Sequence, residues 1–227
     1  MKSKKVIVAL DSKDLNRTIK LVKTLKNEVY AFKIGYEFFF SFGLSGYKKI
    51  YKICPNIFLD LKLHDIPNTV KNGLNALNKI KPILTTIHIS GGDEMMQFSK
   101  FKKNSTKILG VSILTSLDSK QTKKYYNQKN IPSLVKKFCQ AAKINRLDGV
   151  VCSPKEIKYI RKLVGNKFII VTPGIRIDNN LKGDDQKRVE TPRKAIDLGA
   201  NFLVIGRPIT KAKNPLKILN EINKTLI

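Results

Sequence analysis

Three charged residues within one short stretch could do chemistry together. Asp60, Lys62 and Asp65 lie in the sequence FLDLKLHDIPNT, which covers residues 58–69. Leucines alternate with Asp60 and Lys62, and this period of two places successive side chains on opposite faces of a strand. A buried acid and a buried amine are costly unless they pair or react. The spacing therefore favours a reactive charged cluster, continued by Asp65 on the following turn, over a structural ion pair inside a barrel.

The elements that would position this cluster alternate between strand and helix along the chain. Eight apolar strand runs alternate with eight helical periodicities, and no composition break or linker divides the 227 residues. This pattern predicts an α/β fold with a parallel sheet, most simply a (β/α)8 TIM barrel formed by one domain over residues 1–227. An open doubly wound sheet is less favoured, because no GxGxxG motif opens the first helix. Residues 117–133 receive no helix or strand in this prediction.

Polar residues are concentrated where the predicted strands end. In (β/α)8 barrels the chemistry lies at the carboxyl ends of the strands, so an active site is expected on this face. His88 also lies there, but a lone histidine beside two glycines is more often structural, and we leave it out of the catalytic set. The polar strand-end residues are Asp11, Lys33, Asp60, Lys62, Thr115, Ser153, Arg176 and Arg207, the last of which follows Gly206.

The last two strand ends are typical of a phosphate site. Arg176 follows a Pro-Gly turn after the seventh strand, and Arg207 follows Gly206 after the eighth. Barrel enzymes commonly bind phosphate there through backbone N–H groups and a helix N-terminus, and arginine adds a bidentate fork. Ordinary turns with surface arginines are the alternative. The polar, aperiodic segment at about 173–190 is predicted to be a mobile lid on this phosphate side.

Charge and composition limit the partners that are expected. The net charge is +27, but the 44 basic residues are mostly lysines spread along the chain. This distribution indicates a solvated basic surface that steers anionic small molecules, and no nucleic-acid partner is expected. The three cysteines lack metal-ligand spacing and suggest a reduced, cytoplasmic protein. No signal-peptide pattern is recognised and no run approaches the ~20 apolar residues of a membrane span, so no membrane partner is expected.

The motifs taken together resemble the orotidine 5′-phosphate decarboxylase family. Residues 60–69 are similar to the family signature DxKxxDIPxT, and the similarity extends over nearly the whole chain. The other matching positions are Asp11, 33–35, 114–116, 172–176, 185–188 and 204–208. The resemblance implies a cofactor-free and metal-free enzyme that converts orotidine 5′-monophosphate (OMP) to uridine 5′-monophosphate (UMP) and CO2 in de novo pyrimidine synthesis.

The resemblance also implies a role for each site residue. Lys62 would donate a proton to C6 of the pyrimidine, and Asp60 would lie against the departing carboxylate. Asp65 would reach into the site of a neighbouring subunit, so the partner is a second copy of the chain and the homodimer shares its active sites. Lys33, Asp60, Lys62 and Asp65 would form a chain of alternating charge. Ile66 and Thr69 would reach into the site of the neighbouring subunit together with Asp65. The ribose would be held by Asp11 and Lys33, and Thr115 would lie near the pyrimidine. The phosphate would be surrounded by Arg176, Gln186, Gly206 and Arg207.

Two alternatives stay open from the sequence. The chain also resembles 3-keto-L-gulonate 6-phosphate decarboxylase and hexulose-phosphate synthase, which share the DxKxxD strand but use Mg²⁺ held partly by an acid at the end of the second strand. Lys33 occupies that place here, and a cation opposes a divalent metal ion. A nucleic-acid-binding protein is the other alternative, but it would need a basic stripe with stacking aromatic residues, which the sequence does not show.

Overall fold

Eight parallel strands close into a barrel. The computed structural model describes residues 4–97, 105–176 and 190–226. Within them each strand pairs with the next one along the chain, and the last pairs with the first, which confirms the predicted (β/α)8 barrel. The strands are β1 (Val6–Ala9), β2 (Ala31–Ile34), β3 (Ile57–Leu63), β4 (Leu84–His88), β5 (Lys107–Val111), β6 (Gly149–Val151), β7 (Ile169–Thr172) and β8 (Phe202–Ile205).

Helices surround the barrel, and two strands are followed by two helices each. The helices in the described residues are α1 (Leu15–Leu25), α2 (Tyr36–Ile53), α3 (Pro67–Ala76), α4 (Gly92–Gln97), α5 (Ser119–Tyr126), α6 (Ile131–Ile144), α7 (Ile157–Val164), α8 (Pro192–Asp197), α9 (Arg207–Thr210) and α10 (Pro215–Thr225). The prediction of one helix after each strand was therefore wrong after β5 and β8, where α5 and α9 are additional. None of the described helices combines the length and hydropathy needed to cross a bilayer.

Two apolar layers hold the barrel together and leave a polar space at one end. Alternate strand residues point inward and form a small core around Phe58, Leu84 and Leu109. The residues between them, such as Leu59, point outward into the larger core under the helices. The inner layer fills the barrel interior below Asp60, so the charged side chains of β3 lie above it at the carboxyl ends of the strands.

The β3 strand is irregular at the point where its charged residues lie. Leu59 is opposite Thr85 of β4, but Leu63 is opposite Ile87, so four steps along β3 face two steps along β4. A bulge of this kind bends the strand and re-aims its side chains. Lys62 lies inside the bulge with φ of 44°, a left-handed conformation that is uncommon for a residue other than glycine.

Candidate active site

A cavity of about 740 Å³ opens at the carboxyl ends of the strands. Because all eight strands are parallel, residues far apart in the sequence meet at this single rim. Each predicted residue in the cavity comes from the end of a different strand, except for the pairs on β3 and after β8. The cavity lining includes Asp11, Lys33, Asp60, Lys62, Thr115, Arg176, Gly206 and Arg207.

Four charged side chains form a row of alternating sign across the cavity floor. Lys62 Nζ lies 2.9 Å from Asp60 Oδ2. Lys33 Nζ lies 3.7 Å from the same oxygen and 3.4 Å from Asp11 Oδ1. Asp60 is only 8% exposed, whereas half of the Asp11 side chain is exposed. The row therefore places one buried carboxylate between two ammonium groups.

Asp60 is ionised at neutral pH. Burial by itself raises the pKa of this carboxyl, because charge is less well solvated there. The Lys33 and Lys62 ammonium groups and hydrogen bonds from Lys62 and Thr86 outweigh burial, so the net pKa lies below the usual aspartate value. One carboxylate, kept ionised by its neighbours despite its burial, thus holds two cations in place.

Gly35 leaves room for one of these ion pairs. It lies between β2 and α2 as the N-cap of the helix. A Cβ atom on Gly35 would lie 2.9 Å from Lys33 Nζ and 3.3 Å from Asp11 Oδ1. Contacts this close would push the two side chains apart. The glycine after Lys33-Ile34 is therefore explained by the geometry of the charged row.

Tyr36 supports Lys62 from the side, and sequence reasoning missed it. Its hydroxyl donates a hydrogen bond to the Leu61 carbonyl at 3.1 Å. Lys62 Nζ lies 5.6 Å from the centre of its ring, within the range of a cation–π contact. Its position one residue after Gly35 at a strand end is the signal that could have identified it. Glu37 and Lys211 also line the cavity and were likewise not predicted.

The opposite side of the cavity is positively charged. Arg176 is 7% exposed, and its Nη1 donates to the Ile175 carbonyl at 2.8 Å. Arg207 begins α9 and Lys211 follows its last residue, and both line the cavity. An added Cβ on Gly206 would meet Ala9 at an ordinary 3.5 Å, so packing does not require glycine there. The missing side chain leaves the backbone open to close approach by a ligand.

Four predicted site residues do not line the cavity. Asp65, Ile66 and Thr69 are exposed on the turn and helix after β3, and Asp65 Oδ1 accepts the Ile66 N–H at 2.7 Å. Within one chain the row of alternating charge therefore ends at Lys62 and does not include Asp65. Gln186 lies outside the described residues, as do residues 177–189 of the predicted lid.

His88 does not line the cavity, in keeping with its omission from the catalytic set. Its ring lies 5.1 Å from that of His64. Burial lowers the pKa of His88, and the charges of His64 and Lys62 lower it further against the opposing effect of Asp60. His88 is therefore mainly neutral at pH 7.

Comparison with known proteins identifies the family. The model for the orotidine 5′-phosphate decarboxylase / HUMPS family matches residues 4–222. The orotidine 5′-phosphate decarboxylase of Wolbachia sp. subsp. Brugia malayi (strain TRS) is 41% identical over 223 residues, covering 97% of this chain and 98% of the relative. The Pseudoalteromonas translucida enzyme of the same name is 40% identical over 230 residues, covering 99% and 98%.

The fold comparison agrees. The crystal structure of orotidine 5′-phosphate decarboxylase from Lactobacillus acidophilus matches with a TM-score of 0.84 and 34% identity, covering 99% of both chains. Sequence and fold similarity therefore extend over the same full length of the chain, including every strand end that lines the cavity. The chain belongs to the orotidine 5′-phosphate decarboxylase / HUMPS family.

Proposed function

We propose that this protein decarboxylates OMP to UMP and CO2, with Lys62 as the proton donor. The observation that carries the proposal is the Lys62 ammonium held 2.9 Å from buried, ionised Asp60 in the barrel cavity. The volume of about 740 Å³ suits a nucleotide, since ligand pockets span about 300–1,000 Å³. The names of the relatives at about 40% identity support the same reaction, which would supply UMP in pyrimidine synthesis.

The charged row matches the electron flow of this reaction. When the bond from C6 to the carboxylate breaks, CO2 leaves and the electron pair stays on C6. An ammonium fixed beside that carbon stabilises the developing charge and then transfers its proton, so that an N–H bond breaks as the C6–H bond forms. Lys62 ends as a neutral amine and regains its proton from solvent. Asp60, placed against the substrate carboxylate, favours its departure as neutral CO2.

The arginine side of the cavity would hold the substrate phosphate. Arg176 and Arg207 supply positive charge, and Gly206 leaves the backbone accessible. Asp11 and Lys33 would hold the ribose between the phosphate and the floor. Phosphate binding is remote from C6, so its binding energy can orient the ring for reaction without taking part in the chemistry. The net charge of +27 would steer the anionic nucleotide toward the cavity.

We propose a homodimer in which Asp65, Ile66 and Thr69 complete the site of the partner. Within one chain these residues are exposed at the rim rather than in the cavity. Large apolar side chains are also exposed after β2 and β3, with Phe40 77% and Ile66 67% exposed. Tyr36 and Phe40 stack with ring centres 5.6 Å apart. Covering such a surface with an identical one on a second copy removes apolar area from water on both sides.

Replacing Phe40 with lysine is expected to weaken the dimer, because it puts a charge in the middle of the proposed apolar interface. Analytical ultracentrifugation should show monomers at concentrations where the unmodified protein is dimeric. Ile144→Lys is the matched control: Ile144 is 69% exposed but ends α6 at the opposite end of the barrel. A Phe40→Lys protein that dimerises as well as Ile144→Lys would remove this face as the interface.

The reaction is expected to need no metal ion, in contrast to the magnesium-dependent relatives named above. Lys33 Nζ lies between the carboxylates of Asp11 and Asp60, so a cationic side chain occupies the place that a divalent ion would need. Among the described residues, no cluster of three or more His, Cys, Asp or Glu side chains could hold a metal ion.

The three cysteines are buried and free, which supports a reducing, cytoplasmic location.

The loss of OMP ultraviolet absorbance in the presence of excess EDTA tests both the reaction and its metal independence. We expect the same rate with and without the chelator. Activity toward OMP that EDTA abolishes and Mg²⁺ restores would contradict the metal-free mechanism. No turnover of OMP, together with Mg²⁺-dependent turnover of a sugar phosphate, would instead place the chain with those relatives.

A further inference from the structure

We propose that Thr86 is a positioning residue for the reaction, because its hydroxyl links the Asp60 carboxylate to the backbone of Lys62. Thr86 lies on β4, is fully buried and does not line the cavity, so it would act only through these two residues. The inference rests on the roles proposed above for Lys62 and Asp60. Neither the signature motif nor the pattern of strand ends points to this residue.

The Thr86 hydroxyl makes two hydrogen bonds of opposite direction. It donates to Asp60 Oδ1 at 2.9 Å and accepts from the Lys62 backbone N–H at 2.9 Å. The other oxygen of Asp60 accepts from Lys62 Nζ, also at 2.9 Å. A hydroxyl has one proton to donate, and here the carboxylate receives it. Lys62 is thus held at its backbone and at its ammonium by one connected ring of hydrogen bonds.

The backbone of Lys62 needs this support. Its φ of 44° is unfavourable for a residue with a side chain, and such conformations persist where the surroundings hold them in place. The bulge also interrupts the ladder between β3 and β4 at this point, so the Lys62 N–H finds a side-chain acceptor instead of a carbonyl. A buried N–H group without an acceptor is strongly disfavoured. Without the Thr86 hydroxyl the bulge would relax and the ammonium would move away from C6.

The neighbouring Thr85 provides a matched control. It is also on β4 and almost fully buried, and its hydroxyl also donates to β3, at 3.0 Å from the Leu59 carbonyl. It points to the other face of the strand and makes no hydrogen bond to Asp60 or Lys62. Removing the Thr85 hydroxyl deletes one hydrogen bond between β4 and β3, and removing the Thr86 hydroxyl deletes two between the same strands. Only the Thr86 hydroxyl contacts the charged row.

The experiment compares Thr86→Val, Thr86→Ser and Thr85→Val in steady-state assays of OMP decarboxylation. We expect Thr86→Val to lower kcat about 10²-fold, the scale of a 1 Å misplacement of a reacting group, with a smaller effect on KM. Thr86→Ser should restore kcat, and Thr85→Val should lower stability without lowering kcat.

The pH profile gives a second readout that a structural role would not change. Thr86 donates to the charged form of Asp60, so losing the hydroxyl raises the pKa of that carboxyl. In a plot of kcat against pH, the acid limb should therefore lie at higher pH for Thr86→Val than for the unmodified enzyme. For Thr85→Val it should lie at the same pH as for the unmodified enzyme. The comparison between variants isolates this shift, because the other groups that face Asp60 are common to all of them. These are Asp11, Lys33, Tyr36, Lys62 and His88.

Three outcomes would overturn the inference. If Thr86→Val has the same kcat as Thr85→Val and the acid limb of its pH profile lies at the same pH, the Thr86 hydroxyl does not position Asp60 or Lys62. Thr86→Ser as impaired as Thr86→Val would assign the effect to the methyl group. If Thr86→Val does not fold, Thr86→Cys, whose thiol is a weaker donor, must show the same losses in part, and full activity in that variant would also contradict the inference.

Failure of the proposed function gives a different result. Turnover by Lys62→Ala near that of the unmodified enzyme would remove the role of Lys62 itself, whatever Thr86 does. An inactive Lys62→Ala beside a fully active Thr86→Val would remove only the inference about Thr86.

Discussion

The Lys62→Ala protein is expected to bind UMP almost as well as the unmodified enzyme and to lose nearly all turnover. Lys62 is asked both to stabilise the charge on C6 and to neutralise it. General acid catalysis and electrostatic stabilisation each contribute about 10²-fold or more, so kcat should fall by about 10⁴-fold or further. UMP has no carboxylate at C6, and under the proposed binding mode it would be held mainly at the arginine side of the cavity. Its dissociation constant measured by calorimetry should therefore change little.

Lys81→Ala is the control for this variant. Lys81 is exposed, precedes β4 at the opposite end of the barrel and shares the left-handed backbone of Lys62, with φ of 49°. Both variants therefore lose a lysine side chain from a residue with a left-handed backbone conformation, but only Lys62→Ala loses the ammonium group beside Asp60. Turnover by Lys62→Ala within a few-fold of Lys81→Ala would contradict the proposed role.

Mixing two inactive proteins, Lys62→Ala and Asp65→Ala, is expected to restore activity through hybrid dimers. In a hybrid, the site that keeps Lys62 belongs to the Asp65→Ala chain and receives an intact Asp65 from its partner. The other site lacks both groups. Equal mixing makes half of the dimers hybrid, each with one working site, so recovery should approach about a quarter of the unmodified activity for a twofold dimer.

A second mixture tests whether this recovery reflects sharing between subunits. Asp60 and Lys62 lie 2.9 Å apart in the same chain, so hybrids of Asp60→Ala with Lys62→Ala contain no complete site and should stay inactive. Subunit exchange is followed by native mass spectrometry of one isotopically labelled chain. Proven exchange with no recovery in the Lys62→Ala and Asp65→Ala mixture would contradict shared sites.

Local pattern was enough to predict the strand that carries two charged side chains into the cavity. β3 runs from Ile57 to Leu63, as the alternation of leucine with charge indicated, and Asp60 and Lys62 both line the cavity. Strand-end positions, which follow directly from the barrel topology, also placed Lys33 and Arg207 there. The family resemblance was confirmed over residues 4–222. The homodimer and the roles of individual residues stay predictions.

Features that depend on register or on weak periodicity were not predictable. Thr86 lies opposite Asp60 because Phe58 pairs with Leu84 and Leu59 with Thr85, and the sequence alone does not give this register. The left-handed conformation of Lys62 arises from the bulge that follows. The helix α5 was missed because Thr122 is its only buried residue, so it has no apolar stripe. Its N-cap at Asp118 was the available signal.

The central claim is that the Lys62 ammonium delivers the proton to C6, and hydrogen exchange at that carbon tests it most directly. UMP is incubated with enzyme in D2O and the C6 hydrogen is followed by NMR. Removal of this proton by the neutral amine of Lys62 is the reverse of the proposed step, so the unmodified enzyme should replace it with deuterium and Lys62→Ala should not. Exchange by Lys62→Ala at the unmodified rate would contradict the account.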